Sequence, residues 1–427
     1  MIDTYFQFHP VGQGGFYSGH FGRERDAFNF VFDCGSLSIK TEFKNFVDNV
    51  KRGWIQNEKL NILFISHLDD DHVNGIKFLL KNSQCDNIYL PYLTPFERLV
   101  VITKHSESAV TDYNDFITFM VNPSNYLLGI DGAEIGSINY INGNSDEIFE
   151  ERPADNPIIP DGFSSKLSDN LEVIPDHDLT DQMQTLKVKG KVVFKKANQK
   201  LIYGNFWEFF LYHIKQGNSK SAEFISKINE IYNLNVNIDL TQSDLETILQ
   251  DKIRLKLLRN DFKTIFKNIN KTGLIVQHKP INYSRLSIRK QNTFSPYYHK
   301  YRHYRRSLSN ETYFIDRHNN QIFYCGGVSL LTGDIRFDDI DKASYIRGHL
   351  QHLSVLQVPH HGSSNGWNST KLESFNNDNT DVIINFGFGN TYGHPRPNVL
   401  QDLYSAEFDV HFCNQFEEYC YLINLKL

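Results

Sequence analysis

Polar and apolar positions alternate from Tyr5 to His9, which predicts a half-buried strand, and Gly12-Gln13-Gly14-Gly15 predicts a tight turn after it. Phe28–Phe32 is a short, mostly apolar run closed by Asp33-Cys34-Gly35, a second strand and turn. Helical spacing follows over Thr41–Val50, with Phe43, Phe46, Val47 and Val50 on one stripe. Leu60–Ile65 is almost continuously apolar, as a strand covered on both faces would be, and His67 stands just past its end. Val73–Leu80 reads as a helix and Ile88–Leu90 as the next strand.

The last hundred or so residues repeat this style. Gln321–Leu331 predicts a strand running into Thr332-Gly333-Asp334, and Ser354–Val358 one running into Pro359-His360-His361-Gly362. Val382–Phe386 leads into a glycine-rich turn that ends at His394. Polar residues therefore follow several buried strands, the place where α/β folds put their chemistry.

The middle differs. Residues 103–280 are rich in Asn, Lys and Asp, with a loop-like stretch over Gly143–Pro175 and two predicted helices, Ser219–Tyr232 and Ser243–Ile269. Thr241 or Ser243 would cap the second. The expected organisation is a core formed by residues 1–102 and 281–427, split by an insertion over 103–280. No fixed-period repeat is visible.

At 427 residues the chain exceeds what one core usually supports, which agrees with a split core or two domains. The aromatic share of 14% argues against disorder over most of its length. A net charge of −6 gives no global nucleic-acid signature, so such a site would have to be a local patch. Cys34, Cys85, Cys325, Cys413 and Cys420 are scattered and form no CxxC pair, which excludes a cysteine-built zinc site and fits a reducing compartment. There is no basic segment followed by an apolar run at Met1, and no apolar stretch of about 18 residues. A cytoplasmic protein without membrane contact is expected.

The densest chemistry is Ser66-His67-Leu68-Asp69-Asp70-Asp71-His72. Crowding so many ionisable groups after a buried strand is costly unless a cation compensates, and carboxylates and neutral imidazoles are ligands for divalent ions. The bland alternative is an acidic loop capping a helix. Asp334, His360, His361 and His394 weigh against it, since each follows its own predicted strand, as a ligand set assembled from separate loops requires.

With these residues in view, the sequence resembles the metallo-β-lactamase superfamily, and within it the ComEC-like branch. His67-x-Asp69-x-Asp71-His72 matches the HxDxDH form that this branch uses in place of HxHxDH. Val11-Gly12-Gln13-Gly14, Asp33-Cys34-Gly35, Leu331-Thr332-Gly333-Asp334, Val358-Pro359-His360-His361-Gly362-Ser363 and Tyr392-Gly393-His394-Pro395 follow in the expected order. The branch often has Asp after VGQG, where this chain has Gly15. The match covers roughly residues 1–100 and 320–427.

The resemblance implies an α/β protein, a four-layer αββα sandwich with a large, partly helical insertion and two divalent ions, Zn2+ or Mn2+, at one edge. It implies His67 and Asp69 on the first ion, Asp71 and His72 on the second, and Asp334 between them. One of His360 and His361 would complete the shell, and only one, because neighbouring residues at a strand end point opposite ways. His394 would be a further ligand or a proton donor to the leaving group, and Asp33 would brace the turn beneath. Asp71, Asp334 and His394 are the expected catalytic residues. The ions would activate water, and the extra carboxylate at Asp69 hardens the site toward manganese.

A second informative segment runs from Arg285 to Arg317. Arg289, Lys290, Arg302, Arg305 and Arg306 are interleaved there with Phe294, Tyr297, Tyr298, Tyr301 and Tyr304, the mixture used by single-strand nucleic-acid grooves. A solvated loop is the bland alternative. Lys187–Lys200 reads as a weaker basic hairpin. Three functions compete: a nuclease or other phosphodiesterase binding DNA or RNA, a hydrolase of a small ester, lactone or nucleotide, and a metal-binding component of a multiprotein system such as phage defence, meeting a partner protein through the insertion.

Overall fold

The computed structural model describes residues 2–22, 27–39, 41–54, 59–104, 113–143, 166–197, 199–204, 206–215, 221–236, 240–265, 272–281, 286–294, 327–342, 344–375 and 380–425. Two mixed sheets face each other. The first holds β1 (Ile2–Phe8), β2 (Phe16–Phe21), β3 (Phe28–Cys34), β4 (Leu60–Phe64), β5 (Gln84–Pro91), β6 (Glu134–Asn142), β8 (Val192–Lys196), β12 (Leu286–Phe294) and β17 (Glu417–Leu425), in the order β12-β17-β1-β2-β3-β4-β5-β6-β8. The second holds β7 (Leu167–Asp169), β9 (Gln199–Tyr203), β10 (Trp207–Ile214), β11 (Gly273–Pro280), β13 (Val328–Leu331), β14 (Leu353–Gln357), β15 (Asp381–Asn385) and β16 (Asp409–Cys413), in the order β16-β15-β14-β13-β11-β10-β9-β7. Strands β3 to β6 and β8 run parallel, as do β13 to β16, and the pairs on the other side of each sheet are antiparallel.

Between the sheets lies a core rich in rings, including Phe6, Phe30, Phe64, Trp207, Phe209 and Tyr421. Full burial of each such ring contributes about 1.5–3 kcal/mol relative to exposure, and this layer is where much of the aromatic composition goes. The outer face of the first sheet is covered by α1 (Phe43–Trp54), α2 (Asp70–Val73), α3 (Ile76–Leu80), α4 (Pro95–Lys104), α5 (Tyr113–Val121), α6 (Pro123–Leu128), α7 (Asp181–Leu186), α8 (Ser221–Tyr232), α9 (Gln242–Gln250) and α10 (Lys252–Ile265). That of the second is covered by α11 (Ser344–Arg347) and α12 (Pro397–Ser405). The layers are those of the αββα sandwich.

Local sequence explains the elements near the chemistry. In β4, Ile62 and Phe64 enter the inter-sheet core while Leu60 and Leu63 meet the helices, which is why the run is apolar on both parities. Phe43, Phe46, Val47 and Val50 of α1 all bury on one face, as their spacing predicts.

Tertiary contacts override the pattern elsewhere. The helix predicted over Val73–Leu80 is broken at Asn74-Gly75, where Gly75 N–H donates to Cys34 O (2.8 Å) and Asn74 Oδ1 accepts from Ser36 N (3.0 Å). The helix predicted over Ser243–Ile269 is two helices. Thr241 caps α9 through a reciprocal box with Asp244, and Asp251 restarts the chain by accepting from the backbone N–H of Ile253 and Arg254.

The stretch 103–280 supplies β6 and β8 to the first sheet and β7, β9, β10 and β11 to the second, besides α5 to α10. Within it, Lys187–Lys200 is not a hairpin. β8 pairs with β6 and β9 with β10, so the chain passes from one sheet to the other between them, and Lys195 is buried in an ion pair with Asp169. No described helix is long and apolar enough to cross a membrane.

Candidate metal centre

Five strands deliver the site, each at its C-terminal end. Asp33 lies at the end of β3, Ser66 and His67 follow β4, Thr332-Gly333-Asp334 follow β13, His360 and His361 follow β14, and Asn385 ends β15.

Asp33 is fully buried in a left-handed conformation (φ 59°), and its carboxylate organises the first motif. Oδ1 accepts from Ser66 N–H (2.6 Å), while Oδ2 accepts from Ser66 Oγ (2.6 Å) and His72 Nδ1 (2.8 Å). Ser66 has spent its one proton on Asp33, so its Oγ accepts from His67 Nδ1 at 2.8 Å. His361 Nδ1 donates to Asn385 O (2.9 Å). All three rings thus point Nδ1 at an acceptor and turn Nε2 inward, the orientation in which the neutral ring could offer Nε2 to an ion. Those three Nε2 atoms are buried and make no hydrogen bond among the described residues.

The carboxylates meet them there. His67 Nε2 lies 3.7 Å from Asp69 Oδ2 and 3.8 Å from Asp334 Oδ2. His361 Nε2 lies 3.4 Å from Asp71 Oδ2 and 3.5 Å from Asp334 Oδ1, and His72 Nε2 lies 3.4 Å from the same Asp334 Oδ1. Two groups result, His67-Asp69-Asp334 and Asp71-His72-His361, with the two oxygens of Asp334 divided between them. The separations are long for hydrogen bonds but match the ligand-to-ligand edge of about 3.4 Å around an ion held at about 2.1 Å. Carboxylate and imidazole donors at these separations could hold metal ions.

Charge points the same way. Burial would raise the Asp334 carboxyl, but His361 and His360 beside it hold it well below the usual range. Asp71 is likewise held down by His72 and His361 against the effect of burial. Burial opposes a charge on His72, yet Asp33 and Asp71 raise its imidazole well above the ordinary value. Asp334 and Asp71, held ionised in a dry pocket, draw positive charge from whatever is near.

No protein-family model matches the chain, and no curated protein matches it in sequence. Among solved structures it is similar to a long form RNase Z from yeast, at 6% identity with a TM-score of 0.32, over 90% of this chain and 36% of that one. It is also similar to unliganded yeast PDE1, at 9% identity with a TM-score of 0.37, over 98% of this chain and 100% of that one. The chain thus spans about a third of the RNase Z. Likeness this distant adds nothing to what the layers and the side chains show by themselves.

Of the residues singled out in the sequence, His67, Asp69, Asp71, His72, Asp334 and His361 converge. Of His360 and His361, only His361 falls within one of the two His/Asp groups, although both rings come near Asp334. Both residues are left-handed (φ 50° and 56°) rather than extended, so strand alternation does not apply, and His360 Nε2 also comes within 3.8 Å of Asp334 Oδ2. His394 stands one ring further out, its centroid 5.6 Å from that of His360. Burial, then His361 and His360, push it down to about 4. Arg289 and Lys290 lie on β12, whose backbone pairs with β17 at the edge of the first sheet, four places from β3 and so roughly 20 Å away at ordinary strand spacing. Arg302, Arg305 and Arg306 lie outside the described residues.

Sequence reasoning missed Ser66, Asn385 and Lys104. Lys104, the last residue of α4, donates to Asp69 Oδ2. The glycines of the first turn also gain a role. A Cβ at Gly15 would stand 2.7 Å from His72 Nδ1, and one at Gly333 (φ 55°) would stand 2.6 Å from Ser66 Oγ, so bare backbone is needed where these loops support the histidines.

Proposed function

We propose that the protein is a metal-dependent hydrolase, and within that class a phosphodiesterase acting on nucleic acid. The observation that carries the hydrolase reading is Asp334, whose two oxygens face two separate His/Asp groups 3.4–3.8 Å away. Hydrolytic phosphoryl chemistry uses such a pair of positions, and the order of motifs that resembles the ComEC-like branch supports the same class.

His67, Asp69 and Asp334 would hold one ion and Asp71, His72, His361 and Asp334 the other. Bound divalent ions supply an acidified water and a counter-charge for the substrate's anionic oxygens. The chain's own residues do the rest. Asp71 and Asp334 orient the attacking water, each as an acceptor already held ionised. Asp33 keeps the imidazoles of His67 and His72 in one tautomer. His360 and His394, on the outer side of Asp334, would relay a proton from solvent to the leaving oxygen, which departs as the hydroxyl. Manganese suits the oxygen-rich first group, with zinc the other candidate.

A small ester or nucleotide is the second reading: Arg289 and Lys290 stand roughly 20 Å from β3, so the surroundings of the metal groups would bind such a substrate without them. One experiment separates the readings. Protein loaded with manganese or zinc is incubated with labelled single- and double-stranded DNA and RNA and with bis(p-nitrophenyl) phosphate, beside Asp71→Ala. Polymer cleavage lost in the variant supports a nuclease, and turnover of the small diester alone supports the second reading. Bound metal with no turnover of any substrate rejects both in favour of a binding component.

A further inference from the structure

Among the described residues, Lys104 is a lysine bonded to a carboxylate of the two metal groups, Asp69. Helix α4 fixes its position by burying Phe96, Leu99 and Ile102, and Thr103 Oγ1 bonds back to Leu99 O at 2.9 Å, which ties down the last turn. From that end the ammonium reaches Asp69 Oδ2, the same oxygen that lies 3.7 Å from His67 Nε2. Asp69 is 7% exposed and Lys104 29%. Its charge is also felt at His360 and Tyr392, on the rim.

A metal ion held by His67, Asp69 and Asp334 needs the oxygen that the ammonium occupies. In the other group no lysine or arginine is seen bonded to Asp71 among the described residues; its ion-pair partner is His361, an imidazole that can itself be a ligand once it gives up its proton. The two positions therefore differ in what must be displaced before they fill. Once displaced, the amine remains on its four-carbon stem at the mouth of the site, where an anionic group of a substrate would lie.

We infer that Lys104 is a tethered cation with two uses: it occupies Asp69 until an ion takes the first position, and it then binds an anionic phosphoryl oxygen of the substrate. The second use rests on the phosphodiesterase reading, and the first does not. Metal loading is consequently ordered, the Asp71-His72-His361 position before the His67-Asp69 position, and substrate anions favour completion of the pair.

Calorimetric titration of the metal-stripped, full-length protein with manganese tests the first use. Wild type should bind in two steps about tenfold or more apart, and Lys104→Met should tighten the weaker step by about tenfold while leaving the stronger within about twofold. Lys104→Arg, which keeps the charge, should preserve the gap. Two equal steps in wild type, a weaker step unmoved in Lys104→Met, or an arginine variant that behaves like the methionine one would each overturn it. Binding of inorganic phosphate to the manganese-loaded protein tests the second use, with about tenfold weaker binding expected for Lys104→Met and near wild-type binding for Lys104→Arg. Equal phosphate affinity in all three proteins would reject it. Neither measurement needs turnover, so a protein that cleaves no phosphodiester would refute the proposed function and leave the isotherms to decide the role of Lys104.

Discussion

Asp33 and His72, 39 positions apart in the chain, are joined by a 2.8 Å hydrogen bond from Nδ1 to Oδ2, and the same oxygen accepts from Ser66 Oγ, which holds His67. One buried carboxylate thus sets the tautomer of a histidine in each metal group. Asp33→Asn can accept at only one atom and presents an amide to the other, so both rings lose their common support. Metal affinity should fall by about 10–100-fold at both positions. Calorimetry with manganese or zinc checks this, and unchanged affinity at either position would show that the link does not matter there.

Removing Asp334 and removing His361 should have different stoichiometric consequences. Asp334 faces His67 through Oδ2 and both His72 and His361 through Oδ1, whereas His361 belongs to one group. After gel filtration in trace metal, elemental analysis should find wild type with two equivalents, His361→Ala with about one, and Asp334→Ala with close to none. If Asp334→Ala retains a full equivalent, the carboxylate does not bridge.

Gly15→Ala places a methyl group 2.7 Å from His72 Nδ1. Either the ring or the turn must yield, at about 1–3 kcal/mol. A lower melting temperature is expected in the metal-stripped protein, together with weaker binding at the Asp71-His72-His361 position. A melting curve that overlays wild type would show that the turn relaxes freely.

Away from the metal groups, His411 lies 3.2 Å from Asp381 Oδ2 and 3.4 Å from Asp409 Oδ1. Burial disfavours its charge, but the two carboxylates prevail and raise it to about 9. A histidine raised above its unfolded value stabilises most below about pH 6.5, and that contribution disappears as pH climbs through about 9. Since Asp409 is exposed, screening keeps the effect to about 1–2 kcal/mol. The melting-temperature gap between wild type and His411→Asn should be widest near pH 6 and close by about pH 10. A gap independent of pH would sink this reading.

Much of the centre could be read from the chain, because its ligands sit at strand ends and the strands announce themselves. Leu60–Ile65 marks a strand covered on both faces, and His67 and its acidic neighbours follow at once. The two-sheet architecture came through the resemblance, and the structure bears it out. What stayed hidden depends on distant partners. Lys104 reaches Asp69 across 35 positions, and nothing around Phe96–Lys104 distinguishes it from the end of an ordinary amphipathic helix. The left-handed pair at His360-His361 is set by the turn between β14 and the following loop, where His360 N–H donates to Gly333 O (3.0 Å), so strand logic fails there. The β-structure in 103–280 is short and interrupted by Asn and Lys, as in β6 and β8, so its alternation does not stand out from the surrounding polar sequence.

The metal groups draw His67 and Asp69 from the loop after β4 and Asp71 and His72 from α2, all on the side of the first sheet, and Asp334 and His361 from the turns after β13 and β14 of the second. Cations seated there would act as a hasp across the seam of the sandwich. Chelation should then loosen that rim before the aromatic interior gives way, and amide hydrogens of β4, β13 and β14 nearest the ligands should exchange faster than those at the opposite rim.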